Sequence, residues 1–151
     1  MKNKAKRPFA FVIFGILSLI PLDASAAVAP HSKEYMEKGS ALIVTGEVVS
    51  LSSKTQKSKE EMGLLVARDR IYKITIKVAS LTKGETVKVG DELQFQAWQP
   101  SIRFPPLPGP QGHQSIPKKG DLIKTCLIYN RFTKIYHPFM PNGIKILHNG
   151  K

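Results

Sequence analysis

The stretch RIYKITIKVASL, Arg70–Leu81, decides the fold class. Ile71, Lys73, Thr75 and Lys77 alternate with Tyr72, Ile74, Ile76 and Val78, so a strand here has one apolar and one solvated face. β-branched residues dominate the apolar phase, and no three-to-four-residue apolar repeat competes with the two-residue period. This is an antiparallel strand lying over a core with its other side toward water.

Working outward, the neighbouring segments repeat the pattern. ALIVTGEVVSL (41–51) predicts a strand with a bulge or bend at Gly46. In DELQFQAW (91–98), Leu93, Phe95 and Ala97 alternate with Glu92, Gln94 and Gln96. DLIKTCLIYN, FTKIYHP and GIKIL add short strands toward the C-terminal end. Between them, SSKTQKSKEEMG (52–63) has the composition of a polar loop or hairpin tip, and residues 99–120 are rich in proline and glycine. Proline has no N–H to give a ladder, so a long connection is expected there. Two Lys-x-Gly-Asp turns, at Lys88–Asp91 and Lys118–Asp121, each lead into a strand. Only Lys33–Lys38, capped by Ser32 and ended by Gly39, suggests a helix. Five or six short strands and one short helix predict a small, OB-like antiparallel barrel over residues 41–148, with a β-sandwich as the alternative.

The first 26 residues carry a different message. MKNKAKRPF supplies four cations, FAFVIFGILSLI is continuously apolar, and small residues follow at Ala24–Ala26. That order is a secretory signal peptide. Its apolar run is shorter than the roughly 20 residues a spanning helix needs. Residues 27–40 then form an N-terminal segment holding the short helix, and the product is expected outside the cytoplasm, periplasmic or secreted. The 151-residue chain holds 23 Lys and Arg against 11 Asp and Glu; without residues 1–26 the balance is 19 to 10, or +9. Such a charge suits an anionic partner. With one cysteine, no internal disulfide can form, and Cys126 in an apolar strand is expected to be a buried, inert thiol.

TGEVVSL, YKITIKVASLTKGETVKVGDEL, the proline-rich excursion, KKGDLIKTCLIY and PNGIKIL together resemble secreted OB-fold domains of the netrin-like class, which includes the tissue inhibitors of metalloproteinases. That resemblance implies a barrel with an exposed binding surface. The inhibitors chelate zinc through an N-terminal cysteine and are disulfide-rich, and neither feature exists here, so their mechanism is not implied. A cupredoxin-like copper site is the other reading: His113, Cys126, His137 and Met140 occur in order, and HPFM resembles the amicyanin ligand loop. Ten residues separate Cys126 from His137, however, too many for the one tight loop that aims both in that family.

No Gly-x-Ser-x-Gly elbow, paired carboxylates or phosphate-cradling loop is present, so a non-enzymatic binding module is expected, with no cofactor. The candidate contacts are Trp98, Arg103, Phe104 and Leu107 in the proline-rich segment and Lys54, Lys57 and Lys59 in the lysine cluster. The expected partner is a protein or an anionic cell-envelope component; export argues against nucleic acid. A metal- or small-ligand protein using His113, His137 and Met140 is the alternative.

Overall fold

The computed structural model describes residues 28–106, 109 and 111–150. The expected signal peptide and Leu107 lie outside the described residues. Among the described residues one helix, α1 (Lys33–Gly39), precedes six strands: β1 (Leu42–Lys57), β2 (Val66–Lys83), β3 (Glu92–Phe104), β4 (Leu122–Asn130), β5 (Ile135–Pro138) and β6 (Ile144–His148). No helix among the described residues is long and apolar enough to cross a membrane.

The sheet runs β1-β2-β3-β5-β4-β6, and an additional β1–β4 pairing closes five strands into a ring. This is the expected small barrel rather than a sandwich. All neighbours are antiparallel except β3 and β5, which meet in parallel at Phe95 and Tyr136. The alternation in β2 and β3 does what the sequence requires: Ile74, Ile76, Val78, Leu93, Phe95 and Ala97 point inward and are essentially buried. Leu42, Val44 and Val48 of β1 with Ile123 and Leu127 of β4 complete the core. Each fully buried aliphatic or aromatic side chain contributes about 1.5–3 kcal/mol.

Gly46 marks a register shift in β1, as expected, and a Cβ there would stand 2.5 Å from the Lys77 carbonyl oxygen. The two Lys-x-Gly-Asp turns are built alike. Asp91 Oδ2 accepts from Lys88 N–H at 2.8 Å and Asp121 Oδ2 from Lys118 N–H at 2.7 Å. Gly90 and Gly120 take φ of 95° and 89°, a region that favours glycine. At α1, Ser32 caps as predicted, with Oγ accepting from Tyr35 N–H at 3.2 Å. Gly39 belongs to the helix, and Ser40 closes it. The glycine is needed because the Phe139 ring packs against it, leaving 2.8 Å to a Cβ.

Two expectations are corrected. The polar stretch after Leu51 starts as strand: β1 continues to Lys57, paired with β2 down to Lys57–Arg68, and only the residues from Ser58 onward form the hairpin tip. Glu61 sits against those two facing cations, 3.6 Å from Lys57 Nζ and 3.0 Å from Arg68, which removes their repulsion. Nor does the ladder stop at Gln99, since β3 passes through Pro100 to Phe104. Pro100 lies opposite Asp69 at a register shift, where the ladder is already interrupted and a missing N–H costs least. The distal parts of β1, β2 and β3 thus form a three-stranded arm that projects beyond the ring.

Candidate binding cleft

Where the arm leaves the barrel, it turns a polar-aromatic face toward the β4–β5 hairpin, and a half-open cleft of about 960 Å³ lies between them. Ile71 of β2 and Trp98 of β3 are directly opposed and make its floor with Asp69. Tyr129, Arg131 and Phe132 of the hairpin form one wall, and Lys57 at the end of β1 with Lys59 and Glu60 of the β1–β2 connection form the rim opposite. Pro138, Phe139 and Met140 close the end. The hairpin turn is held by Asn130 Oδ1, which accepts from the N–H groups of Phe132 and Thr133 at 2.9 and 3.2 Å. That turn pushes Phe132 almost entirely into solvent, at 98% exposure.

His113 anchors the returning proline-rich segment at the cleft. Its backbone N–H donates to Trp98 O at 2.9 Å, and Trp98 N–H donates to His113 Nδ1 at 3.1 Å. We therefore assign the Nε2–H tautomer, which donates to Pro138 O at 3.2 Å. Gln99 adds a bond from Nε2 to His113 O at 2.8 Å. Burial pushes the His113 pKa below its ordinary value, against the opposing pull of the Pro138 and Trp98 carbonyls. Burial likewise lowers that of His137. A second clamp ties the N-terminal segment to the far end: Asn142 accepts from His31 N–H at 3.0 Å and donates to His31 O at 2.9 Å. The His31 ring stacks on Tyr35 at 4.7 Å, with Phe139 edge-on to both.

The structure brings Trp98, Lys57 and Lys59 together on the cleft and leaves Arg103, Phe104 and Lys54 off its lining. Arg103 is bound to Asp69 and donates to the carbonyls of Arg68 and Ile102, so its guanidinium is already engaged. Phe104 stands exposed at the arm's end, and Lys54 does not line the cleft. Tyr129, Arg131 and Phe132 were not among the candidates. Their only signal is the Asn-Arg-Phe sequence at a turn, a cation and an aromatic where a hairpin needs neither.

The copper constellation is also divided. His113, His137 and Met140 line the cleft, but Cys126 does not. Its backbone carbonyl accepts from Phe139 N–H, while its side chain is buried beside Ser40 at the end of α1. Burial raises the thiol pKa, the opposite of what a metal thiolate requires. Among the described residues, no three His, Cys, Asp or Glu side chains are grouped to hold a metal ion. Both His113 ring nitrogens already serve the backbone. Ser58, the buried hydroxyl at the rim, accepts from Glu60 N–H at 3.4 Å and has no imidazole partner. The chain matches no protein-family model, no curated protein and no solved structure.

Proposed function

We propose that this chain is an exported, non-enzymatic binding module whose cleft takes an acidic segment of a protein partner carrying an aromatic or apolar side chain. One observation carries the reading: Trp98 and Phe132 face a single open cleft whose rim bears Lys59 and Arg131. Aromatic walls bury an apolar side chain at little entropic cost, and the two cations meet flanking carboxylates. Asp69 does not oppose such a ligand, because Arg103 neutralises it. The amino-terminal cations, apolar run and Ala-Ser-Ala stretch support export. Kinship with netrin-like domains is part of the proposal too, but it contributes a scaffold and no chemistry. The proline-rich segment reaches the cleft only through His113, and the proposed contact surface moves from that segment to the cleft itself.

Trp98 is the chain's sole tryptophan and lies on the cleft floor, so it reports directly on occupancy. Peptides alternating Glu with Phe should shift its emission saturably, whereas Lys–Phe peptides should not. Arg131→Glu should weaken the Glu–Phe titration by about tenfold, the loss of one good contact. An emission spectrum indifferent to Glu–Phe peptides at about millimolar concentration would sink this reading.

A further inference from the structure

At the end of the arm, five large apolar side chains stand in water: Leu64 at 95% exposure, Met62 at 78%, Phe104 at 67%, Ile102 at 49% and Val66 at 41%. Pairing places Val66 opposite Phe104 and Arg68 opposite Ile102. Val66, Phe104, Arg68 and Ile102 therefore share one sheet face. Val66, Ile102 and Phe104 do not line the cleft. Met62 and Leu64 extend it into the β1–β2 connection. Lone exposed apolar residues are ordinary, but five together on one projecting end are not.

The charge around this end selects what covers it. Lys57, Lys59, Arg68, Arg70 and Arg103 stand against Glu60, Glu61 and Asp69, a net of +2. Glu61 and Asp69 are spent on Lys57, Arg68 and Arg103. Lys59 and Arg70 make no ion pair among the described residues. The five side chains are 41–95% exposed and none of them lines the cleft, so this end does not itself form a pocket for a protein side chain. A fluid interface needs no matching shape; it asks for an apolar wedge with cations set behind it. We propose that the arm's end inserts into the interfacial layer of an anionic lipid bilayer, with Leu64 and Phe104 as the deepest groups and Lys59 and Arg70 on the headgroups. Lys59 borders the cleft as well and is the one group the two proposals share; Leu64, Phe104 and Arg70 do not line the cleft.

The test is co-sedimentation of residues 27–151 with vesicles. That span contains the whole closed ring and omits the apolar N-terminal run, which would bind lipid by itself. Vesicles of equal phosphatidylglycerol and phosphatidylcholine should carry the protein down, and phosphatidylcholine alone should not. Leu64→Ser/Phe104→Ser should weaken binding at least tenfold. Lys59→Ser/Arg70→Ser should weaken it by about fivefold per charge removed. All four positions are on the surface, so unchanged thermal midpoints and Trp98 emission will show that the variants are folded. Binding by the Leu64/Phe104 variant at wild-type strength would overturn insertion and leave only diffuse attraction to a basic protein. Absence of wild-type binding to the anionic vesicles would overturn the proposal outright.

Discussion

Inside the ring, Ile74, Ile76, Val78, Leu93 and Phe95 of β2 and β3 have almost no contact with water. A few residues farther along those strands burial is mostly partial, with Ala67 the exception, and along β1 from Ser50 to Lys57 every residue is exposed. The backbone pairing is the same in both halves; the second layer is missing from the arm. Ladder hydrogen bonds alone contribute little net stability, so what keeps the arm in place is its continuity with the barrel. A fold that extends three strands past its core holds a surface out for contact, at a cost in exposed apolar groups. Substitutions in the two halves should therefore differ sharply, with large losses of stability in the ring and changes in binding alone on the arm and its facing hairpin.

The largest effect belongs to the ring. Phe95→Ala should cost about 3–5 kcal/mol in urea unfolding, because a fully enclosed ring leaves a cavity that its strand neighbours cannot collapse to fill. A loss under about 1 kcal/mol would mean that the barrel interior is not packed as described. The junction comes next. His113→Leu removes the partners of Trp98 N–H and Pro138 C=O and should cost about 1–3 kcal/mol. His113 also makes stability depend on pH. Its folded pKa lies below the ordinary 6.5, so the unfolded chain takes up the proton first as pH falls. Stability should be complete above about pH 6.5 and decline below it. The His113→Leu variant should show a shallower decline but not a flat one, since burial lowers the His137 pKa in the same direction.

How much of this was legible depended on whether a residue's partner was close in sequence or in period. The ring was readable because alternation in 70–81 and 91–98 states which side chains go inward, and both Lys-x-Gly-Asp turns state where strands begin. The arm was not. Lys54 and Lys57 carry loop composition, and only pairing with Arg68–Ile71 makes that stretch a strand. Pro100 argued for a break that a register shift accommodates. His113 gave no sign of its role, because its partners Trp98 and Pro138 are 15 and 25 residues away. For the cleft, three lysine and tryptophan candidates were found, while the β4–β5 wall depended on knowing that this hairpin faces the arm.

The hairpin tests whether binding and stability separate. Phe132 is nearly free of contacts, so Phe132→Ser should leave the unfolding midpoint within about 0.5 kcal/mol of wild type. The same change should weaken Glu–Phe peptide binding by about tenfold, as expected when an aromatic wall is truncated. Equal binding by this variant would place the ligand elsewhere and remove the wall from the proposed site.

The smallest predicted effect is also the sharpest division. Lys54 and Lys59 belong to one lysine cluster, and composition cannot tell them apart. Lys59 lines the cleft, whereas Lys54 sits on β1 opposite Ile71 and does not. An exposed charge that does not touch the ligand acts only through screened solvent, with a screening length of about 8 Å at physiological salt. Lys54→Ser should therefore change Glu–Phe peptide affinity by less than about twofold at that salt, and Lys59→Ser by about fivefold, close to 1 kcal/mol. Equal losses from both substitutions would show that the peptide responds to the overall basic charge of the chain. Unequal losses in the stated order would locate it between the β1–β2 connection and the β4–β5 hairpin, where the arm's cleft face meets the barrel.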